Sequence, residues 1–245
     1  MERNIKLIIE YDGTNYNGWQ SQMNGTAIQD IVEGALFQLT GEKVKLTGSG
    51  RTDSGVHAYG QVANFFSTSS IPAEKFSFAL NTILPKDIII KKSLEVGSEF
   101  HARFSAKGKK YRYLIYNSTH PSALLRNRTF HVFYNLNIAA MKEASSHFIG
   151  TYNFEGFMAK GSQVKNTIRT IWETSLIKRD EIIQIEITGD GFLYNMVRII
   201  VGTLIDVGIG RIKTQDISNI IRSCDRKLAG RTAPPQGLYL VEVYY

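Results

Sequence analysis

Residues 48–58, GSGRTDSGVHA, combine an arginine, an aspartate and a histidine with three glycines. Glycines remove side-chain constraints on the backbone and allow sharp turns, so the stretch predicts a loop that presents Arg51 and Asp53 to a ligand. Two readings follow from the residues alone. An ordinary surface turn with solvated side chains is the more common one. An acid–base hydrolase that uses Asp53 with His57 is the other, and it would cleave a nucleoside or glycoside.

Other kinds of chemistry are disfavoured. The loop lacks the GxxxxGK[ST] spacing of a phosphate-binding loop, and its aspartate would repel a phosphate. The single cysteine, Cys224, excludes an internal disulfide and a cysteine-based zinc cluster. The five histidines are scattered, without a pair at helical metal-ligand spacing. We therefore expect no metal and no cofactor.

The elements that must position this loop follow from hydrophobic periodicity and turn residues. In the first half we predict a helix over 27–39, with Thr26 and Gln29 as a capping box and Gly41 beyond its end. A second short helix with proline in its first turn is predicted over 72–83. The strands predicted in this half cover residues 5–11, 44–47, 61–66 and 87–96.

The second half repeats this rhythm. Asn137 predicts the N-cap of one helix, residues 194–207 form a long apolar helix stopped by Gly208 and Gly210, and Thr214 caps a last short helix. The predicted strands cover 110–116, a hairpin of 171–177 and 182–188, and 237–245. The mixture predicts an α+β fold: two similar halves with a largely antiparallel mixed sheet flanked by helices, and an active-site cleft between them. We place the domains at 1–103 and 104–245.

Composition favours a polyanionic partner without proving one, since many solvated enzyme surfaces are mildly basic. The 245 residues include 29 basic and 22 acidic side chains, a net charge of +7. The first apolar run is too short and interrupted for a signal peptide, and no stretch approaches membrane-spanning length. A cytoplasmic protein is the expectation.

The residues 48–65, GSGRTDSGVHAYGQVANF, resemble the signature of the TruA family of pseudouridine synthases, usually GAGRTDAGVHA. Ser49 and Ser54 stand where the family has alanines, while the Arg-Thr-Asp centre and the glycines are intact. Further blocks match in the family's order and cover essentially the whole chain. They are EYDGTNYNGWQ, FHARFSA, KYRYLIYN, GFLYNMVRIIVGTLIDVG and GLYLVEVYY.

The resemblance implies isomerisation of uridine to pseudouridine, which needs no cofactor because nothing is oxidised and no group enters or leaves. It makes Asp53 the catalytic carboxylate, which attacks the uracil or the ribose or removes a ribose proton. Arg198 matches the arginine that pairs with that aspartate. Tyr111 matches the active-site tyrosine, and Leu238 an apolar residue of the uracil pocket. A snorkelling arginine, a packing tyrosine and a core leucine are the structural alternatives for these positions.

The resemblance also implies the substrate, which is uridine at positions 38, 39 and 40 of the tRNA anticodon stem-loop. Two of these positions lie in the stem, so the base must be extruded, and Arg51 is the residue expected to displace it. The family forms homodimers whose tRNA contacts both subunits. The basic residues that could contact phosphates are Lys107, Lys109, Lys110, Arg112, Arg126 and Arg128. For any one of them, a solvated surface charge is the more common role.

Besides the hydrolase, a non-catalytic RNA-binding module is an alternative, since aromatic strands can stack bases. The module would not require the Arg-Thr-Asp loop, and a hydrolase would release free uracil. Neither accounts for the ordered blocks.

Overall fold

A computed structural model describes residues 1–23, 25–161 and 164–245. The chain forms two compact units, Met1–Lys107 with Tyr239–Tyr245, and Gly108–Leu238. Both combine helices with mainly antiparallel strands, which confirms the predicted α+β class. The domain division between residues 103 and 104 stays a prediction. In the described part of the chain, no helix has the length and apolar character needed to span a membrane.

The sheet of the first unit is built on β1 (Arg3–Tyr11), which pairs antiparallel with β3 (His57–Ser67) and with β4 (Ile88–Val96). The two-residue β2 (Thr47–Gly48) pairs antiparallel with β3. The last strand, β10 (Leu238–Tyr244), pairs parallel with the start of β3. The predicted strands over 61–66, 87–96 and 237–245 are therefore confirmed, and β3 begins earlier than expected.

One face of this sheet is covered by the core of the first unit. Ile5, Leu7 and Ile9 alternate along β1 and are fully buried, as expected for a strand with one face in a core. The helices of the unit are α1 (Ile28–Thr40) and α2 (Phe76–Asn81). The helix predicted over 72–83 is shorter than expected, because a 3-10 turn precedes α2.

Two local predictions in this unit are wrong. The N-cap of α1 is Ala27 and makes no side-chain cap bond, so Thr26 and Gln29 do not form a capping box. The Gln29 amide donates instead to the Glu33 carboxylate and to the Leu46 carbonyl oxygen, because a buried amide needs partners on both sides. The strand expected over 44–47 is largely absent, since only Thr47 belongs to β2.

The sheet of the second unit is built on β5 (Gly108–Asn117), which pairs antiparallel with β9 (Ile182–Gly189) and parallel with β6 (Phe130–Val132). Strand β8 (Ile168–Arg179) pairs antiparallel with β9 and with β7 (Gly150–Asn153). This confirms the predicted hairpin.

The described residues of the second unit also form the helices α3 (Ile138–Ser146), α4 (Met196–Gly208) and α5 (Ile217–Ser223). The predicted cap of α3 is confirmed, since the Asn137 side chain accepts a hydrogen bond from the backbone N–H of Ala140. For α5 the prediction is wrong, because its N-cap is not a threonine and makes no side-chain bond.

The long helix α4 begins two residues later than predicted. Asn195 has a left-handed conformation with φ 61°, so the helix cannot extend through Tyr194. Gly208 is the last helical residue and not a stop signal, and Gly210 follows with φ 78°. The chain therefore turns away one residue past the C-cap.

Candidate active site

The Arg-Thr-Asp sequence lies in the loop between β2 and β3 of the first unit. Arg51 is exposed, Thr52 is buried and Asp53 is half-buried. The loop turns back at Gly55, whose φ of 75° is in the left-handed region that favours glycine. The backbone N–H of Val56 donates to the Asp53 carbonyl oxygen over 3.1 Å and closes this turn. A buried threonine thus holds the loop while the charged residues on both sides of it remain accessible.

Thr52 is held by the first sequence block, EYDGTNYNGWQ. Its hydroxyl lies 2.8 Å from the hydroxyl of Tyr11, and its carbonyl oxygen accepts a hydrogen bond from the Trp19 backbone N–H over 3.2 Å. Burial raises the pKa of Tyr11, so this hydroxyl is a neutral hydrogen-bonding group. The loop is therefore fixed to a buried side chain of β1 and to the turn that follows it.

Two glycines of the first block allow the close approach. A Cβ on Gly18, which has φ 89°, would overlap the Thr52 carbonyl oxygen, and a Cβ on Gly13 would overlap that of Val56. Backbone therefore packs directly on backbone over the whole Asp53 turn. This explains why glycines lie at these two positions.

His57 is almost fully buried and forms the start of β3. Its Nδ1 atom lies 3.0 Å from the Asp12 carboxylate and 3.1 Å from the Gly13 backbone nitrogen, and its ring stacks on Tyr239 at 4.7 Å. These contacts engage the ring with the protein's own groups. The arrangement favours a structural role for His57 over the acid–base role of the hydrolase alternative.

Tyr111 lies on β5 in the second unit, opposite Ile187 of β9. It is 8% exposed and meets the ring of Phe192 edge-on at 5.1 Å. Tyr113 on the same face is fully buried and donates a 2.7 Å hydrogen bond to the Pro234 carbonyl oxygen. The strand thus carries two inward tyrosines, of which Tyr111 retains some access to solvent.

Arg198 lies in the first turn of α4 and is the one residue of that helix that is not buried. Its Nε donates to the Ala233 carbonyl oxygen over 2.7 Å, and Nη1 donates to the Asn195 side chain over 2.6 Å. The dipole of α4 disfavours a cation and favours an anion at the N-terminal end of the helix, so an arginine there needs partners that hold it and an anion that offsets its charge. The position therefore suits an arginine that is held in place to bind an anionic group.

The segment before β10 packs tightly on α4. A Cβ on Gly202 would overlap the Arg231 carbonyl oxygen, and one on Gly230 would lie 2.6 Å from backbone atoms of Thr203. The segment ends at Leu238, the first residue of β10, which is 6% exposed. The hydrogen bond from Arg198 to the Ala233 carbonyl oxygen thus joins α4 to the segment that leads to Leu238.

The candidate phosphate contacts differ in their surroundings. Lys110 and Arg112 both form ion pairs with Glu186, at 2.8 and 2.7 Å. Burial disfavours the charge of Glu186, but hydrogen bonds from these two cations outweigh it and lower its pKa. By contrast, Lys107, Arg126 and Arg128 are exposed, and Lys109 is half-buried.

Sequence reasoning missed the residues that support the loop, namely Tyr11, Trp19 and Thr52, and the Asn195 that orients Arg198. The glycine spacing in YDGTNYNG was a signal of close backbone packing, but it did not identify the partner. Among residues 1–23, 25–161 and 164–245, no cluster of three or more His, Cys, Asp or Glu could hold a metal ion.

Comparison with known proteins gives consistent matches over the whole chain. A sequence model of the family described as tRNA pseudouridine synthase matches residues 7–105 and 144–245. A tRNA pseudouridine synthase A from Acetivibrio thermocellus is 61% identical over 243 residues, covering 99% of this chain and 100% of the relative. One from Ruminiclostridium cellulolyticum is 57% identical over 244 residues, with the same coverage.

Solved structures are more distant. A chain in a crystal structure of a Cbf5-Nop10-Gar1 complex matches with a TM-score of 0.37 and 12% identity, covering 96% of this chain and 57% of that chain. A likeness this weak carries no argument about the site.

Proposed function

The chain belongs to the tRNA pseudouridine synthase family, and from that premise we propose that it modifies uridine at positions 38, 39 and/or 40 of the tRNA anticodon stem-loop, with Asp53 as its catalytic carboxylate. It is an isomerase, an intramolecular transferase that leaves the atomic composition of its substrate unchanged. The bond between uracil N1 and ribose C1′ breaks, the uracil rotates, and a bond from C5 to C1′ forms. The proton lost from C5 is balanced by the one that N1 gains.

One observation supports the proposed role of Asp53 as the catalytic carboxylate. Its loop is fixed through the buried Thr52, yet Asp53 itself is only half-buried. Such a carboxylate can reach a bound nucleoside without rearrangement of the loop, and preorganised catalytic groups of this kind lower the activation barrier. Three chemical routes are open to it, which are attack on the uracil, attack on the ribose and removal of a ribose proton.

The remaining site residues are assigned by the family resemblance and supported by local geometry. Arg198 is the proposed ion-pair partner of Asp53, and the hydrogen bonds from its Nε and Nη1 restrict the guanidinium. Tyr111 is the proposed active-site tyrosine that contacts the uracil, and Leu238 an apolar wall of the uracil pocket. Arg51, exposed on the loop, is the proposed group that occupies the space of the extruded base.

The tRNA substrate has consequences for binding and assembly. Exposed basic residues such as Lys107, Arg126 and Arg128 are proposed phosphate contacts. A homodimer in which the tRNA contacts both subunits is proposed on the family resemblance alone. A cytoplasmic location is proposed from the sequence analysis above.

The proposal is tested by tritium release from uracil C5 in tRNA transcripts incubated with pure, metal-free protein. Transcripts that retain a single labelled uridine at position 38, 39 or 40 identify the sites. We expect tritium release from at least one of them and no free uracil. Release of free uracil would instead establish the hydrolase. Binding of tRNA with release of neither tritium nor free uracil would establish a binding module.

Asp53→Asn tests the carboxylate in the same assay. We expect loss of pseudouridine formation with tRNA affinity within about threefold of wild type, because the substitution removes a reacting group and keeps the shape. Asp180→Asn is the matched control, since Asp180 is exposed in the β8–β9 turn with φ 52°, a conformation that asparagine tolerates. Turnover of the Asp53 variant near the wild-type rate would refute the assignment.

A further inference from the structure

Residues 100–106, FHARFSA, belong to a block that carries the family resemblance, yet they include none of the residues assigned to the reaction. They form a tight turn in the first unit. The backbone N–H of Ser105 donates to the His101 carbonyl oxygen over 2.9 Å, and that of His101 donates to the Ser105 hydroxyl over 3.1 Å. His101 Nδ1 accepts from the backbone N–H groups of Arg103 and Phe104, at 3.2 and 3.3 Å.

The turn is also anchored to the sheet. Ala102 is fully buried, its N–H donates to the Asn64 side chain over 2.8 Å, and its carbonyl oxygen accepts from the Tyr245 hydroxyl at the same distance. The Phe100 carbonyl oxygen accepts from the Asn4 side chain over 2.9 Å. The backbone that carries Arg103 and Phe104 is therefore held in place by hydrogen bonds before any ligand binds.

Two residues project from this anchored turn into solvent. Phe104 is 77% exposed and Arg103 is also exposed. The His101 ring lies 4.3 Å from the Phe104 ring, and the Arg103 guanidinium lies 5.6 Å from the ring centre. Leaving a phenylalanine this exposed forgoes the free energy of burying it. Because the backbone that carries this exposed ring is already held by hydrogen bonds, binding a partner orders only the side chain and costs less entropy.

The chemistry around the ring indicates what the partner is. A docking surface for a protein would offer a contiguous apolar patch, whereas the ring of Phe104 is flanked by an arginine and a histidine, and the exposed Lys107 follows in sequence. An aromatic face beside cations is the combination that binds a nucleobase together with its phosphate. The chain's net charge of +7 agrees with such a partner.

We propose that Phe104 stacks on an unpaired base of the tRNA substrate and that Arg103 contacts an adjacent phosphate. This inference rests on the proposed tRNA substrate and adds a base-binding position outside the residues assigned to catalysis. Because every base has a stacking face, the contact contributes affinity without selecting a sequence.

Equilibrium binding of an unmodified tRNA transcript to Phe104→Leu and Phe104→Trp tests the proposal. Leucine keeps an apolar side chain and removes the ring, so we expect affinity to fall about fivefold or more. Tryptophan keeps a stacking face and should bind within about twofold of wild type. Phe78→Leu is the matched control, because Phe78 is 70% exposed with the Lys75 ammonium 5.4 Å from its ring, and we expect no change. Arg103→Gln should reduce the slope of log affinity against log salt by about one.

Unchanged affinity of Phe104→Leu, or equal loss in the Leu and Trp variants, would overturn the stacking contact. Conversion of the protein to a smaller species by Phe104→Leu in sedimentation would also overturn it, since the ring would then contact a second copy of the chain. Tritium release by the wild-type protein on the same transcript separates the two proposals. Its absence refutes the proposed function, whereas its presence with an unaffected Phe104→Leu refutes this inference alone.

Discussion

The hydroxyl of Tyr11 and the hydroxyl of Thr52 lie 2.8 Å apart, and this contact joins the end of the first strand to the centre of the Arg-Thr-Asp sequence. Both side chains are buried, at 3% and 7% exposure. Because a buried hydroxyl must be hydrogen-bonded, the contact meets this need for Thr52 and, together with Gln61, for Tyr11. The contact gives the tyrosine of EYDGTNYNGWQ a function, which is to hold the backbone that carries Asp53.

Tyr11→Phe should therefore affect both stability and activity. We expect the free energy of unfolding to fall by about 0.5–1.5 kcal/mol, the usual contribution of such a bond. The single-turnover rate should fall more than tRNA affinity, because the loop and not the RNA surface is loosened. The double variant Tyr11→Phe/Thr52→Val should lose less than the sum of the single variants. Additive losses would mean that the two hydroxyls do not depend on each other.

Two helical glycines should respond to alanine in opposite directions. Gly202 of α4 has no room for a Cβ, because the Arg231 carbonyl oxygen occupies the space, whereas Gly34 of α1 has no atom within 4 Å of that position. We expect Gly202→Ala to destabilise the protein by about 1–3 kcal/mol or more. Gly34→Ala should stabilise it by about 0.5–1 kcal/mol through helix propensity. Thermal unfolding of both variants measures the difference, and melting temperatures that shift in the same direction would contradict it.

Much of the secondary structure could be predicted because it depends on local rules. The Asn137 cap satisfies a backbone N–H three residues away, and the β8–β9 turn is made by neighbouring residues. The capping box at Thr26 and Gln29 failed for the opposite reason. Gln29 finds its partners in Leu46 and Glu33, and the partner at Leu46 is brought to it only by the folded chain.

In the candidate site, too, features that depend on neighbouring residues could be predicted and contacts between residues distant in sequence could not. The glycines around Asp53 predicted a loop that could present a charged residue, and this required only local information. The support from Tyr11 crosses 41 positions of sequence, and the hydrogen bond from Arg198 to Ala233 crosses 35. No periodicity or spacing encodes such contacts, so they could be found only from the three-dimensional structure.

Arg198→Lys tests whether the guanidinium shape matters or only the charge. Lysine cannot reproduce the separate hydrogen bonds from Nε to Ala233 and from Nη1 to Asn195. We expect the single-turnover rate to fall about tenfold or more, with tRNA affinity nearly unchanged. Arg222→Lys is the matched control, because exposed Arg222 likewise donates to an asparagine three residues earlier, Asn219.

The ion pair proposed between Arg198 and Asp53 leads to a further expectation. Combined with Asp53→Asn, the lysine variant should cause little additional loss of rate, because the anion that it serves is already gone. A full additional tenfold loss in the double variant would show that Arg198 acts independently of Asp53. Loss of tRNA affinity in Arg198→Lys would point to a phosphate contact.

Tyr111 has a hydroxyl that could transfer a proton and a ring that could position the base, and two substitutions separate them. Tyr111→Phe keeps the ring and its edge-on contact with Phe192 but removes the hydroxyl. We expect it to bind tRNA nearly normally and to react roughly 100- to 10,000-fold more slowly, the range of general acid–base contributions. Tyr111→Ala should also lose base positioning, and its melting temperature should fall because a buried ring is removed.

Tyr113→Phe controls for loss of a tyrosine hydroxyl on the same strand. The Tyr113 hydroxyl donates to the Pro234 carbonyl oxygen from a fully buried position, so its removal should lower the melting temperature and leave the single-turnover rate within about threefold of wild type. If Tyr111→Phe behaves in the same way as Tyr113→Phe, both are packing residues and the hydroxyl of Tyr111 has no part in the reaction. If only Tyr111→Phe loses its rate while its melting temperature is retained, the hydroxyl acts on the substrate, because a residue that only packs would change stability first.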